Sequence, residues 1–152
     1  MSQRLDYNEA APNGMKALGG VYGYVSQSGL PALLVDIVYL RVSQINGCAF
    51  CIDMHSRDLL KAGLAVEKLV LVPGWREAGA LFSDREKAAL AWAETVTRVA
   101  DTNVPDAAFE AASAVFNAKE LSDLTIAIGL MNIYNRMAIS FRATPEAAKK
   151  AG

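Results

Sequence analysis

Both cysteines and the sole histidine of this 152-residue chain fall in one short stretch, Cys48-Ala49-Phe50-Cys51-Ile52-Asp53-Met54-His55. On an α-helix, at about 100° per residue, Cys48, Cys51 and His55 occupy i, i+3 and i+7 on one narrow stripe. α-Carbons one turn apart stand about 5 to 6 Å from each other, within the span of a disulfide. His55 follows Cys51 by four residues, and side chains at that spacing touch on a helix. The stretch therefore presents a closable dithiol with a proton acceptor beside it. Only a thiolate attacks a peroxide or a disulfide sulfur, and a free Cys, with a pKa of about 8.5, is mostly protonated at neutral pH. A neighbouring imidazole can take the thiol proton. Asn46-Gly47 reads as a turn, so the motif opens its helix, where the positive dipole end favours a thiolate at Cys48. A second thiol then attacks the oxidised sulfur and stops the oxidation at a disulfide.

Other readings of the same residues exist. Two cysteines at helical spacing can be small core hydrophobes, with the histidine as a satisfied polar neighbour. Zinc needs four ligands in a structural site and three from the protein in a catalytic one. One helical stripe offers three in poor tetrahedral geometry, so no metal is assigned. A Cys-x-x-Cys of thioredoxin type sits in a βαβ context, whereas both flanks here read as helix.

The elements that must position this stretch follow from periodicity and breakers. Residues 1–12 read as an arm. A helix is expected from Asn13 to Gln27, with Met15, Leu18, Tyr22 and Val25 on one face and glycines at 19, 20 and 23 suggesting close helix packing. After the break at Ser28-Gly29-Leu30-Pro31, a helix from Pro31 to Ile45 is apolar on nearly every side and should be buried. Asp36 stands inside it. A buried carboxylate is costly unless it is hydrogen-bonded or functional; an ion pair with Arg41 or Arg57 would explain it structurally. A proton relay beside the dithiol explains it functionally, and that reading is preferred. Tyr39 and Ser43 are assigned to the same pocket, together with Phe50.

The motif helix should stop at Gly63. Val66 to Leu71 reads as a short helix, Trp75 as a packing anchor, and Arg76 and Glu77 as charges for a subunit interface. Ser83-Asp84-Arg85-Glu86 is a capping box opening a helix to Val99. Further helices are expected up to Asn117 and from Leu121 to Phe141, the last with Leu124, Ile128, Met131 and Ile139 inward. The tail from 143 to 152 is expected to fray.

The chain reads as one domain over 1–152, with its core at about 13–142. Net charge is −1 with dispersed basic residues, which gives no cationic stripe for nucleic acid or a membrane surface. Hydrophobic residues make up 53%, more than a small soluble monomer readily hides, so a homo-oligomer is expected, a trimer or hexamer. The longest apolar run, Leu124 to Met131, is too short to span a bilayer. With no secretory signal pattern at the start, a cytoplasmic location is expected, where a cycling disulfide is more plausible than a permanent one.

The stretch from Leu40 to His55, with Cys-x-x-Cys-x-x-x-His in an apolar helical setting, closely resembles the core motif of the alkylhydroperoxidase D-like (AhpD-like) proteins of the carboxymuconolactone decarboxylase superfamily. The resemblance continues through Lys61-Ala62-Gly63, Trp75-Arg76-Glu77 and Asn132-Ile133-Tyr134-Asn135-Arg136. The superfamily's decarboxylases lack the cysteine pair, so decarboxylation is not implied. The resemblance implies an all-α helical bundle in which Cys51 attacks peroxide. Cys48 then resolves it and is the more accessible to the reductant, while His55 serves the proton relay. Asp36 stands twelve positions before Cys48, where the family prefers Glu; one methylene fewer implies a water-bridged or weaker relay. Phe50 stands where the protein that named the family has a second histidine. Both departures point away from a strong peroxidase.

The function expected is reduction of hydroperoxides through a Cys48/Cys51 redox disulfide. No bound cofactor is expected. An external dithiol reductant, a lipoyl group or lipoyl protein by resemblance, would restore the enzyme. The competing class is a non-catalytic redox sensor, or a general thiol–disulfide oxidoreductase without strong peroxidase activity.

Overall fold

The computed structural model describes residues 2–150, and among them it is helical throughout, with no strand. The helices are α1 (Tyr7–Ala10), α2 (Pro12–Ser26), α3 (Ala32–Asn46), α4 (Ala49–Lys61), α5 (Val66–Leu71), α6 (Asp84–Thr97), α7 (Val99–Thr102), α8 (Asp106–Ser113), α9 (Ala118–Phe141) and α10 (Glu146–Lys150). Two 3-10 segments, Val72–Glu77 and Gly79–Leu81, link α5 to α6.

α3 is the central element, as its all-round apolar composition requires. Its buried residues include Leu34, Ile37, Val38, Leu40 and Val42, and it packs against α4, α6 and α9. On one side Val38 and Val42 join Ala93 of α6 and Leu124, Ile128 and Met131 of α9. On the other, Ile37 and Leu40 meet Leu59 of α4, Trp75, Phe82 and Leu90. The capping box at Ser83 and Glu86 forms as expected, and a second one, Asn117 with Glu120, opens α9.

Several expectations are corrected. α2 buries only Val25 among its residues, and Tyr22 is exposed. A Cβ at Gly19, Gly20 or Gly23 would meet nothing within 4 Å, so these glycines do not mark close packing within the chain. Ile139 faces outward. Arg76 is bound within the chain: it pairs with Glu94 at 2.7 Å and lies over the Trp75 ring. Trp75 is buried, as an anchor should be.

The chain ends are built into the bundle. Asp6 caps α1 through the amides of Asn8 and Glu9. The Arg4 amide and guanidinium donate to the Phe141 and Ser140 carbonyls at the end of α9. Of the tail expected to fray, Glu146–Lys150 form α10, whose Ala147 amide donates to Asp53 Oδ2 of α4 at 3.0 Å, and residues 151–152 lie outside the described residues. No described helix is long and apolar enough to cross a membrane.

Candidate active site

Local backbone places the thiols. Gly47 adopts left-handed dihedrals, φ 70° and ψ 31°, a conformation that favours glycine because it has no Cβ. The chain thereby leaves α3 and restarts at once as α4, with Cys48 as the residue capping its N-terminus. A cap normally offers a side-chain oxygen to a free amide of the first turn. Here Cys48 Sγ plays that part and accepts the Cys51 N–H at 3.3 Å. The turn rests on buried amides: Asn46 Nδ2 donates to Asn135 Oδ1 at 2.9 Å and to Asn132 Oδ1 at 3.0 Å. Asn135 in turn donates to Ser43 Oγ, and Ser43 donates to the Tyr39 carbonyl. Ser43 is therefore a buried support beneath the turn and lines none of the cavities around the thiols.

Cys48 and Cys51 form a disulfide, with α-carbons 5.3 Å apart. The two sulfurs border different spaces. Cys51 lines a cavity of about 350 Å³ shared with His55, Asp58, Tyr22 and Tyr134, with Tyr7 and Asn8 of the N-terminal arm at its edge. Cys48 lines a cavity of about 490 Å³ walled by Ala138, Arg142, Pro145 and Ala148. Phe50 borders both and divides them. Both sulfurs are buried, Cys48 at 1% exposed and Cys51 at 2%.

His55 is buried, and burial pushes its pKa down to about 4, against a smaller upward pull from the Asp58 carboxylate. Its imidazole is therefore neutral at neutral pH and available to accept a proton. Its ring lies 5.5 Å from that of Tyr39, which stacks in turn on Tyr22 at 6.2 Å. His55 Nε2 and Tyr39 Oη are both buried without a hydrogen-bond partner among the described residues. Burial, reinforced by the neighbouring anionic groups, pushes the Tyr39 hydroxyl well above its usual range, so it is a donor and not a phenolate.

Asp36 lies next door. It lines a smaller cavity, about 120 Å³, with Tyr22, Val35 and Tyr39. Neither suggested arginine partner reaches it, because Arg41 pairs with Glu94 and Arg57 with Asp53. Burial, with the negative charge of Asp58 added, holds the Asp36 carboxyl above its ordinary value. Tyr39 thus stands between Asp36 and His55. The carboxylate that borders the thiol cavity directly is Asp58. Its position three residues after His55 was the available signal. The contributions of Tyr7, Asn8 and Tyr134 had none, since they depend on how the arm and α9 dock.

Among the described residues, no three His, Cys, Asp or Glu side chains converge to hold a metal ion. The arrangement can open and close a disulfide at a helix start, with a neutral imidazole at one of its two sulfurs.

Fold and site together define a class, an all-α bundle carrying a dithiol at the start of the helix that follows its buried central one. The chain belongs to the carboxymuconolactone decarboxylase family, which matches residues 12–95, and it is AhpD-like within it. It is 36% identical to the uncharacterized protein YdfG of Bacillus subtilis over 140 residues, covering 92% of this chain and 95% of that one. Among solved structures, it resembles an Agrobacterium tumefaciens protein of unknown function, provisionally named as the antioxidant defence protein AhpD. That match has a TM-score of 0.91 and 39% identity, and covers 95% of this chain and 98% of the other. The fold alone is also shared with the AhpD core of an uncharacterized peroxidase-related protein from Ralstonia eutropha, with a TM-score of 0.79, 20% identity, and coverage of 91% and 74%.

Proposed function

We propose that this chain is a thiol-dependent peroxidase of the alkylhydroperoxidase type, reducing hydroperoxides through Cys48 and Cys51. The observation that carries the reading is the Cys48–Cys51 disulfide at the start of α4, with the neutral His55 sharing the cavity of Cys51. In the reduced protein His55 accepts the Cys51 thiol proton as the sulfur attacks, since an imidazole with a pKa of about 4 does not hold it beforehand. The thiolate attacks the terminal peroxide oxygen, forming an S–O bond as the O–O bond breaks. The departing alkoxide takes up the proton from His55 and leaves as the alcohol, or as water when the substrate is hydrogen peroxide. Cys48 then attacks the Cys51 sulfenic acid. Its own proton and the displaced hydroxide leave together as water, and the disulfide remains.

His55 Nε2, unpartnered at this cavity, supplies an acceptor for the polar intermediates, and the unpartnered Tyr39 Oη lies behind it in the cavity of Asp36. Asp36 acts from behind Tyr39 in this scheme and biases the proton relay without touching Cys51. An external dithiol, such as a lipoyl group, returns the pair to thiols and is itself oxidised to a disulfide. Phe50 offers no proton and serves as the partition.

Thiol counting tests the reading. One equivalent of hydroperoxide should consume both thiols of the reduced protein, and excess dihydrolipoamide should sustain turnover. Cys51→Ser should abolish peroxide consumption, and full activity in that variant would refute the assignment. The burial of both sulfurs favours a second reading, a redox sensor or thiol–disulfide oxidoreductase that closes its disulfide with little peroxidase turnover. Stoichiometric oxidation without multiple turnovers, across several dithiol donors, would select it.

A further inference from the structure

We propose that residues Thr144–Lys150 form a strap, latched by Asp53, across the cavity over Cys48, the sulfur that the family resemblance assigns to the donor dithiol. The inference rests on the cycling disulfide proposed above and adds the route by which it is reduced.

The disulfide has two faces, and the chemistry separates them. Thiol–disulfide exchange needs a thiolate to reach one sulfur from the side opposite the sulfur that leaves, so access decides which is attacked. The Cys51 face opens on His55, Asn8, Asp58 and three tyrosines set among Met15, Met54 and Met131, so it brings polar groups to a hydroperoxide and its proton transfers. The Cys48 face opens on Phe50, Ala138, Ile139 and Arg142, an apolar floor with one cation at its rim. A donor sulfur arriving there attacks Cys48 Sγ. A new Cys48–donor disulfide forms, the Cys48–Cys51 bond breaks, and the electron pair leaves on Cys51 as a thiolate, which is protonated on the side that holds His55. The donor's second thiolate then attacks its own sulfur in the mixed disulfide and releases Cys48.

That approach is closed in this structure. Pro145 and Ala148 line the cavity from above, and Cys48 is almost wholly buried. The cover is lightly built. Its helix α10 has five residues, all exposed. It begins beyond Arg142, which ends α9 in a left-handed conformation at φ 56°, a backbone state non-glycine residues seldom adopt. Ala143 N–H still bonds to Ala138 O of α9, so the strap proper begins after it. Within the strap the bonds are local: the Ala148 and Lys149 amides donate to the Pro145 carbonyl, and Lys149 pairs with Glu146. Its polar tie to the bundle is the Ala147 amide on Asp53 Oδ2 at 3.0 Å, while Asp53 Oδ1 is occupied by Arg57 at 2.9 Å. Asp53 lies two residues beyond Cys51, so the latch is fixed to the helix that carries the redox pair. Lifting the strap breaks its amide contacts to the Asp53 carboxylate, from Ala147 and more weakly from Glu146.

The test starts from the oxidised protein, so it does not depend on peroxide chemistry. The second-order rate of disulfide reduction by dithiothreitol is measured for the wild type, Asp53→Ala, Arg57→Ala and a chain ending at Ala143. Asp53→Ala and the shortened chain should be reduced roughly threefold to tenfold faster, the scale of losing a solvent-exposed polar contact. Arg57→Ala removes the ion pair and keeps the latch, so it should match the wild type. Oxidation of each reduced protein by hydrogen peroxide should stay within about twofold of the wild type, because that step uses the other face. Equal reduction rates in all four proteins would overturn the proposal, as would acceleration in Arg57→Ala. Equal acceleration of oxidation and reduction would also overturn it, by showing general loosening. Should the shortened chain fail to fold, Asp53→Ala against Arg57→Ala decides alone. If peroxide closes no disulfide in any variant, the peroxidase reading falls while the reduction rates still judge the strap.

Discussion

His55 is the residue whose environment has the largest consequence for both stability and chemistry. Its pKa falls from an unfolded value near 6.5 to about 4 because burial disfavours the imidazolium. Between those values the unfolded chain binds a proton that the folded chain does not. Stability therefore rises with pH across that window, is fully present above pH 6.5, and is lost as pH falls toward 4. At 1.36 kcal/mol per unit the ceiling is about 3 kcal/mol. Urea melts from pH 7.5 to 4 should show the wild type losing much of that amount and His55→Asn losing clearly less. Parallel curves would show that His55 does not carry the effect. The same burial keeps the imidazole neutral in the working range, so peroxide oxidation should follow thiol ionisation with no inflection between pH 6 and 7. At this scale the sequence was informative where chemistry is local. The i, i+3, i+7 spacing placed Cys48, Cys51 and His55 together because one helix carries all three. Asp36 read as a buried carboxyl; it is half-buried, and what burial it has raises its pKa, in a cavity it shares with Tyr39. Ser43 read as a pocket residue because polar residues in an apolar helix suggest a site; its hydroxyl instead completes the amide network under the Gly47 turn.

The elements are held by junctions that a sequence shows only in part. Capping boxes and glycine stops are local, and the starts of α6 and the end of α4 were legible for that reason. Glu94 was not, because its donors lie 53 and 18 or 19 positions away. It accepts from Arg41 of α3 at 2.8 Å, from Trp75 Nε1 at 3.0 Å and from Arg76 at 2.7 Å, joining α3, the 3-10 segment and α6. Burial works to raise its pKa, yet these three donors carry it below the usual carboxylate range. Glu94→Ala leaves the Arg41 guanidinium and Trp75 indole without a partner in a largely buried place. Removal of one member of such a pair typically costs about 3 kcal/mol, which should appear as a lower urea midpoint with unchanged slope. Glu94→Gln keeps acceptor geometry and should lose less. Gly47 is a second junction. A Cβ there meets open space, but its φ of 70° is left-handed, and Gly47→Ala should lose about 1 kcal/mol with a shift in the rate of disulfide closure, since Cys48 starts from that turn.

At the level of the whole molecule, the surface is what remains to be accounted for. The chain exposes 8386 Å², whereas a compact monomer of this mass exposes about 7,500 Å². The 24-residue helix α9 gives the clearest reason. Its inner side carries Leu124, Ile128 and Met131 into the core, yet Ile126 and Ile133, seven residues apart and so on one outer stripe, are 41% and 44% exposed. A helix apolar on both sides is one that is covered on both sides. Ile126 also borders an apolar cavity of about 670 Å³ walled by Trp92, Phe109, Phe116 and Leu121. Like chains meeting over this face would bury both features, and closed symmetric assemblies are the usual outcome of such self-complementary surfaces. Sedimentation equilibrium at micromolar concentration should therefore give a whole-number multiple, two or more, of the 16.3 kDa chain mass. Ile126→Asp places a carboxylate in the contact, where its desolvation is unfavourable, and should shift the population toward monomer. Because Ile126 lies outside the core, the far-ultraviolet circular dichroism of that variant should match the wild type. A wild-type chain that sediments as a monomer would show that this apolar face is tolerated in water, and an Ile126→Asp variant that stays assembled would move the contact to another part of the surface.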